Sequence, residues 1–348
     1  MSPQHFAHTL LDWFSTNGRD LPWRHTSDPY AIWLSEVILQ QTRISQGTDY
    51  WKRFMAAYPT VDDLAAASED EVLKLWQGLG YYSRARNLHK AARQIVALGK
   101  FPDTLEGLKK LKGVGDYTAA AIASFAFGIP AAAVDGNYHR VLSRVWGIDT
   151  PINSTQGKKE FQALADGLIT EGLGHNSCSA DFNAAMMDFG ATQCTPKSPA
   201  CIVCPFNENC EALRQGRIDE LPVKLKTVKV KTRRFTYFYI RHQGQVAIHQ
   251  RGEGDIWQGL WEPVVLENQK PPAWDGKLTL IASQVKHVLT HRIIMADFYL
   301  VEANSKPQLP PDYIWIDESL FDNYAVPRLV EILMERFSRI RTRSKPRP

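Results

Sequence analysis

The chain has 348 residues, 44% hydrophobic and 22% charged, with a formal net charge of +4. That length makes two domains the default, each able to bury its own core, and the mild basicity permits a nucleic-acid partner without requiring one. No apolar run reaches the roughly eighteen residues of a membrane-spanning helix, which excludes a membrane protein of that kind.

The N-terminus, MSPQHFAHTLLDWF, has apolar residues at helical spacing and no basic stretch ahead of an apolar core. It reads as a first helix over residues 6–14 rather than a signal peptide, so the expected compartment is the cytoplasm, near the nucleoid. Leu21-Pro22-Trp23-Arg24 forms a turn. Asp28 and Pro29 then suit the cap and first turn of a helix over Tyr30–Ser45. Glu36 lies among Ile32, Trp33, Val37 and Ile38, with Gln40 one turn on. An acid there is either a surface glutamate beside the apolar stripe or a desolvated carboxyl with a raised pKa, suited to general-acid work. Further helices are expected at 48–58, 60–67, 69–78 and 87–98. Between the last two, Leu79 to Arg86 reads LGYYSRAR. Aromatics that can wedge or stack, beside arginines that can meet phosphate, suit a DNA-facing turn. A capped helix with a solvated basic face would look the same.

Residues 111–141, LKGVGDYTAAAIASFAFGIPAAAVDGNYHRV, carry the densest pattern. Gly113 and Gly115 let the backbone turn tightly and expose its N–H groups. A helix of small residues follows over Asp116–Phe127, ended by Gly128 and Pro130. An apolar link, Ala131 to Val134, then leads to Asp135 at the start of another helix that runs to Trp146. A helix over 158–171 and the segment FNAAMMDFGATQC come next. Four of the five cysteines crowd together after it, Cys194, Cys201, Cys204 and Cys210, separated by six, two and five residues. Four thiolates at one place suit a zinc ion or a four-iron cluster rather than bridges. Cys178 stands outside this spacing and reads as a small buried hydrophobe.

Helical content extends to about residue 215, after which the composition shifts. LPVKLKTVKVKTRR is cationic with no helical stripe and reads as a basic linker, either lying along DNA or simply solvated. Beyond it the period becomes two. FTYFYIRHQGQVAIHQR reads as a hairpin across His242-Gln243-Gly244, with further strands near 278–281 and 293–301 and a terminal helix over 326–339. The last residues, RIRTRSKPRP, form a basic tail. This α+β pattern, with Gly-Leu-Trp-Glu-Pro at Gly259 to Pro263, resembles a Nudix-type domain. The acid-rich Nudix box is missing, so no pyrophosphohydrolase activity is expected there.

Hairpin, helix, break, link and aspartate resemble the helix–hairpin–helix DNA glycosylase superfamily. The order of acid-bearing helix, LGYYSRAR, glycine hairpin, aspartate, four-cysteine loop and Nudix-like domain is similar to its adenine DNA glycosylase family over nearly the whole chain. The resemblance implies two domains: an all-α catalytic domain over 1–213, with the hairpin near 108–128 and an iron–sulfur loop at 194–210, and an α+β Nudix-like domain over 233–340. A linker at 214–232 and a tail at 341–348 complete the division. The implied function is removal of adenine mispaired with 8-oxoguanine or guanine in double-stranded DNA, by a monomer that carries a [4Fe-4S] cluster on the four cysteines.

The same resemblance implies the roles of single residues. Glu36 protonates the base and later activates water, and Asp135 is the stabilising or transiently covalent carboxylate. Asn137 lies beside it. Tyr117 replaces the nucleophilic lysine of strand-cleaving relatives, which implies a mainly monofunctional enzyme. Gly113 and Gly115 hold phosphate, Gln41 and Tyr81 fill the stack around the flipped base, and Thr290 and His291 read 8-oxoguanine, with Leu289 where the family has an aromatic. Ala184 departs from the family's Gln or Glu, and His139 from its occasional Lys. Two other readings compete: an endonuclease III-like enzyme for oxidised pyrimidines, which would need Lys at position 117, and a non-enzymatic iron–sulfur DNA-binding protein, which would need neither carboxyl.

Overall fold

The structure is a computed structural model and describes residues 1–173, 178–225, 230–269 and 272–343. Helices occupy its first part: α1 Pro3–Asn17, α2 Pro29–Leu39, α3 Ile44–Ala57, α4 Val61–Ala66, α5 Glu69–Trp76, α6 Ser83–Leu98, α7 Leu105–Lys109, α8 Asp116–Phe127, α9 Gly136–Trp146, α10 Thr155–Thr170, α11 Ser179–Asp188 and α12 Glu211–Arg214. Contacts divide the chain into one unit of residues 1–65 and 90–226 and a second of residues 66–89 and 227–348. The divisions thus fall at the end of α4, inside α6 and after residue 226.

The stretch expected as one helix over 30–45 is two. α2 stops at Leu39, and Gln41 takes a left-handed backbone, φ 57°. The reason lies in burial. Tyr30 to Ile38 are buried without interruption, whereas Gln41 is exposed, so the chain must turn outward before α3 can begin. Asp28 caps α2 by accepting from the N–H groups of Tyr30 (3.0 Å) and Ala31 (3.3 Å). At α8 the sequence reading holds at both ends: Gly128, with φ 65°, closes the helix in the left-handed region.

The core of the first unit joins Phe6 and Leu10 of α1, Tyr138 and Leu142 of α9, Phe161 of α10 and Phe182 of α11. Alanines of α8 pack on the link through Ala131 and Ala133. Buried Asn183 satisfies that link's backbone: its Oδ1 accepts from Ala133 N (3.0 Å) and its Nδ2 donates to Ala131 O (2.9 Å). Residues 215–225, expected within a free linker, are anchored instead. Leu221 is buried, Val223 O accepts from Ile152 N (3.0 Å), and Arg144 Nε donates to Ile218 O and Leu221 O. Residues 226–229 of that linker lie outside the described residues. Cys178 is exposed, not a core residue, because it sits just outside the first turn of α11.

The second unit contains a six-stranded sheet in the order β4-β5-β1-β3-β2-β6. Its strands are β1 Lys231–His242, β2 Gln245–Gln250, β3 Trp261–Glu267, β4 Gly276–Val288, β5 Arg292–Ala303 and β6 Tyr313–Asp317. β1 runs parallel to β5 and antiparallel to β3, and β6, which the sequence reading omitted, pairs with β2. The expected hairpin is present, with Gln243 and Gly244 both at positive φ. Phe235, Tyr237 and Tyr239 of β1 face Leu329, Leu333 and Phe337 of α13 Arg328–Arg343, while Phe238 and Ile240 face the opposite core. α13 takes in the first three residues of the expected tail; 344–348 lie outside the described residues.

Candidate active site

Glu36 is placed by the most buried helix of the first unit. Its side chain is 8% exposed, and Tyr117 of α8 donates its hydroxyl to Oε2 at 2.6 Å. Burial pushes the carboxyl up to about 7. The Tyr117 bond opposes that rise, the charge of Asp135 adds to it, and Arg24 opposes it. The surface reading of this glutamate is thereby excluded.

Asp135 caps α9. Oδ1 accepts from the N–H groups of Asn137 (2.9 Å) and Tyr138 (2.8 Å), and Oδ2 accepts from Asn137 Nδ2 (2.7 Å). A helix start and such donors favour the anion. Burial outweighs them and lifts the carboxyl above its usual range in spite of these three bonds and of Arg140. Both carboxyls shift upward, so what separates them is their partners. Asp135 has donors fixed in the backbone, Glu36 a single phenol.

Asn137 is held in turn. Arg140 Nη2 donates to its Oδ1 (2.7 Å) and to Gly190 O, while Arg140 Nε donates to Cys194 O (2.7 Å). Gly190 lies in a π-helical turn, Phe189–Gln193, and a Cβ there would sit 2.5 Å from Asn137 Cβ. Such turns are rare and are often found at functional sites. Here it lets the chain leading to the cysteines pass against the residue that orients Asp135.

Glu36, Tyr117, Asp135 and Asn137 line one cavity of about 430 Å³, with Asp181 and Ala184 of α11 along one side. That is within the roughly 300–1,000 Å³ typical of small-molecule sites. Ala184 itself offers the cavity no polar group, as its identity implied, and Asp181 is the polar residue of α11 there. His139 points elsewhere, its ring edge-on to Phe161 and its pKa lowered by burial and then by Lys158. The sequence reading missed Arg19, Arg24 and Asp188 beside this cavity, because their contacts join residues more than 160 positions apart.

The hairpin between α7 and α8 is anchored by buried Leu111 and Val114. Gly113 has φ 79°, and Gly115 caps α8 with an extended backbone. A Cβ added at Gly115 meets no described atom within 4 Å, so this backbone faces open space with the helix N-terminus behind it. Gln41 and Tyr81, separate exposed positions, both adopt positive φ, 57° and 47°. Such conformations cost energy in a non-glycine residue.

In the second unit the β4–β5 turn carries Thr290 and His291 beside a cavity of about 560 Å³ that Tyr81 and Trp257 also line. Thr290 Oγ1 and the Tyr81 hydroxyl share a 2.6 Å hydrogen bond. Cys194, Cys201, Cys204 and Cys210 surround one small cavity closed by Val145, Phe189 and Phe206. Arg144 Nη1 donates to Cys194 Sγ at 3.4 Å and to Thr195 O at 2.7 Å. Among the described residues no three potential metal ligands converge on a single-ion site. No helix among them is long and apolar enough to cross a membrane.

Residues 34–166 match the model for HhH-GPD superfamily base excision DNA repair proteins, and residues 236–336 that for the NUDIX domain. The solved structure of a thermostable thymine-DNA glycosylase superposes with a TM-score of 0.56 at 32% identity, over 61% of this chain and 97% of that one. Fold and site thus define a glycosylase-type helix–hairpin–helix protein with a NUDIX domain appended. Adenine DNA glycosylase of Homo sapiens is 43% identical over 227 residues, 62% of this chain and 41% of the human protein. That of Buchnera aphidicola subsp. Schizaphis graminum (strain Sg) is 35% identical over 259 residues, 74% of this chain and 73% of that protein. The chain belongs to the adenine DNA glycosylase family, although it spans less than half the length of the human relative.

Proposed function

We propose that the protein is a DNA N-glycosylase that removes adenine mispaired with 8-oxoguanine or guanine. The observation that carries this reading is the pairing, in one cavity, of a buried carboxyl raised to about 7 with a second carboxyl fixed by three donors. Cleaving a base from its sugar needs a proton for the leaving group and an anion for the oxocarbenium-like sugar. Glu36, protonated near neutral pH, gives its proton to the flipped adenine, and Tyr117 holds its other tautomeric oxygen in place. Asp135 stands as the anion beside the sugar. Glu36, now a carboxylate, takes a proton from the attacking water. Tyr117 offers no amine for a Schiff base, so the product is an abasic site rather than a cut strand.

Amides at Gly113 to Gly115 and the α8 N-terminus take a DNA phosphate, and Gln41 and Tyr81 occupy the stack vacated by the flipped base. Thr290 and His291 read the base opposite. The four cysteines fit a [4Fe-4S] cluster: all four line one small cavity closed by Val145, Phe189 and Phe206, and as thiolates they would hold it. Bound there, it would tie the loop at 194–210 to the helices. We further propose that the protein acts as a monomer in the cytoplasm. Incubation with an adenine:8-oxoguanine duplex followed by alkali tests the function: alkali-dependent cleavage at adenine supports it. Cleavage at oxidised pyrimidines without alkali, or binding with no cleavage at all, overturns it.

A further inference from the structure

Asp188 ends α11 with its side chain fully buried, and two arginines converge on it. Arg24 donates Nη1 to Oδ2 at 2.8 Å and Nη2 to Oδ1 at 2.7 Å. Arg19 donates Nε to Oδ1 at 2.9 Å and its backbone N–H to Oδ2 at 2.8 Å. Arg24 Nη1 also donates to Arg19 O at 2.8 Å, so the three residues lock one another. Both arginines line the cavity that holds Glu36, and Arg24 acts by charge on the Glu36 carboxyl.

A guanidinium close to a carboxyl is a hazard for a general acid. A direct pair lowers a carboxyl pKa by about 1–3 units and would leave Glu36 ionised near neutrality. Arg24 has two carboxyls within its region, and it is forked onto Asp188, not Glu36. We infer that Asp188 is a positioning residue for the reaction: by holding Arg24 and Arg19 in a forked pair, it keeps the Arg24 guanidinium off Glu36 and leaves that carboxyl able to carry a proton. The inference rests on Glu36 being the acid. The other titratable or charged groups lining the cavity with Glu36 are Tyr117 from α8, Asp135 at the start of α9, Arg43 from the turn after α2, and Asp181 from α11. Among these only Arg43 adds positive charge, and it stays in place in every variant below.

Asparagine at 188 cannot neutralise two arginines or accept both forks, so Arg24 is released toward the next carboxyl. The test is the pH profile of single-turnover adenine excision in the full-length, cluster-loaded protein. Asp188→Asn should move the alkaline limb down by about one pH unit or more. Arg24→Gln should leave the limb in place or raise it. The double variant Asp188→Asn/Arg24→Gln should return it to the Arg24→Gln position. A double variant that keeps the lowered limb, or an Asp188→Asn enzyme whose rate falls equally at every pH, overturns the inference. If Asp188→Asn does not fold, Arg24→Gln decides alone: a lowered limb there overturns it, and an unchanged or raised limb supports it. Glu36→Gln in the same assay separates this from the underlying mechanism, since excision surviving that change would sink the assignment of the acid itself.

Discussion

At the scale of single residues, the energetic position of Glu36 links stability to activity. Its carboxyl moves from 4.5 in a free side chain to about 7 in the fold, chiefly through burial. Between those values the folded state holds a proton that the unfolded chain releases, so the group favours folding below about 4.5 and that advantage is lost as pH rises through about 7. The full effect is roughly 3 kcal/mol. Glu36→Gln keeps the shape and removes the charge. It should therefore raise the melting temperature at pH 8 relative to wild type, by much more than at pH 4.5, while cutting adenine excision at least a hundredfold, the order typical of losing a general acid. A Tm gain that is equal at both pH values would count against a strained, ionising Glu36. Asp135→Asn should also bind without turnover, but it loses cap strength of about 1 kcal/mol, so melting must be measured beside excision. These two acids were legible from sequence because each sits in an unusual place, one inside an apolar run and one at the end of an apolar link. Asp188, Arg19 and Arg24 were not, since nothing local in Leu-Pro-Trp-Arg or in Met-Met-Asp announces a contact across the chain.

At the scale of elements, legibility follows the presence of residues with restricted backbones. α8 and α9 could be delimited because Gly115, Gly128, Pro130 and Asp135 each allow few conformations at their places. The β1–β2 hairpin was legible for the same reason, through Gly244. The break after α2 was not: Gln40 and Gln41 are good helix formers, and only the packing of α2 forces the turn. The hairpin before α8 yields its own prediction. Gly115 takes an extended backbone in open space, so Gly115→Asp should fold normally, with a melting temperature near that of wild type. Its carboxylate would nonetheless stand where the proposed phosphate binds, and affinity should fall tenfold or more for any duplex, whatever base lies opposite adenine. The β4–β5 turn predicts the complementary behaviour. Thr290→Ala and His291→Ala should lower the preference for 8-oxoguanine over guanine by about 1–3 kcal/mol, the worth of one base contact. Excision opposite guanine should stay near wild type; equal loss on both duplexes would remove this turn from the recognition site.

At the scale of the whole molecule, the question is why a cysteine loop belongs to a glycosylase fold whose proposed chemistry uses no metal. The contacts around it give a physical answer. Beyond the π-helical turn and short helical pieces, residues 189–225 contain little regular structure, so their backbone groups need partners from elsewhere. Two arginines of α9 provide them. Buried Arg144 reaches Thr195 O, Pro196 O, Ile218 O and Leu221 O, and Arg140 reaches Gly190 O and Cys194 O. Arg140 also holds Asn137, which donates to Asp135. The loop is thereby fastened to the helix whose first turn positions the proposed anion, and anything that ties down the loop stiffens that turn. Purified anaerobically, the protein should be brown, with broad visible absorption and about four irons per chain. Removing the metal should bleach it and lower the melting temperature of the helical unit. Cys194→Ala should do the same from the outset, with reduced folded yield, because Cys194 is the cysteine nearest the Arg140 and Arg144 contacts. The second unit, whose core of Tyr237, Phe298 and Leu333 involves none of these residues, should melt unchanged. Equimolar zinc with no iron, or a metal-free protein that melts as the loaded one does, would overturn both the cluster and this account of what it holds in place.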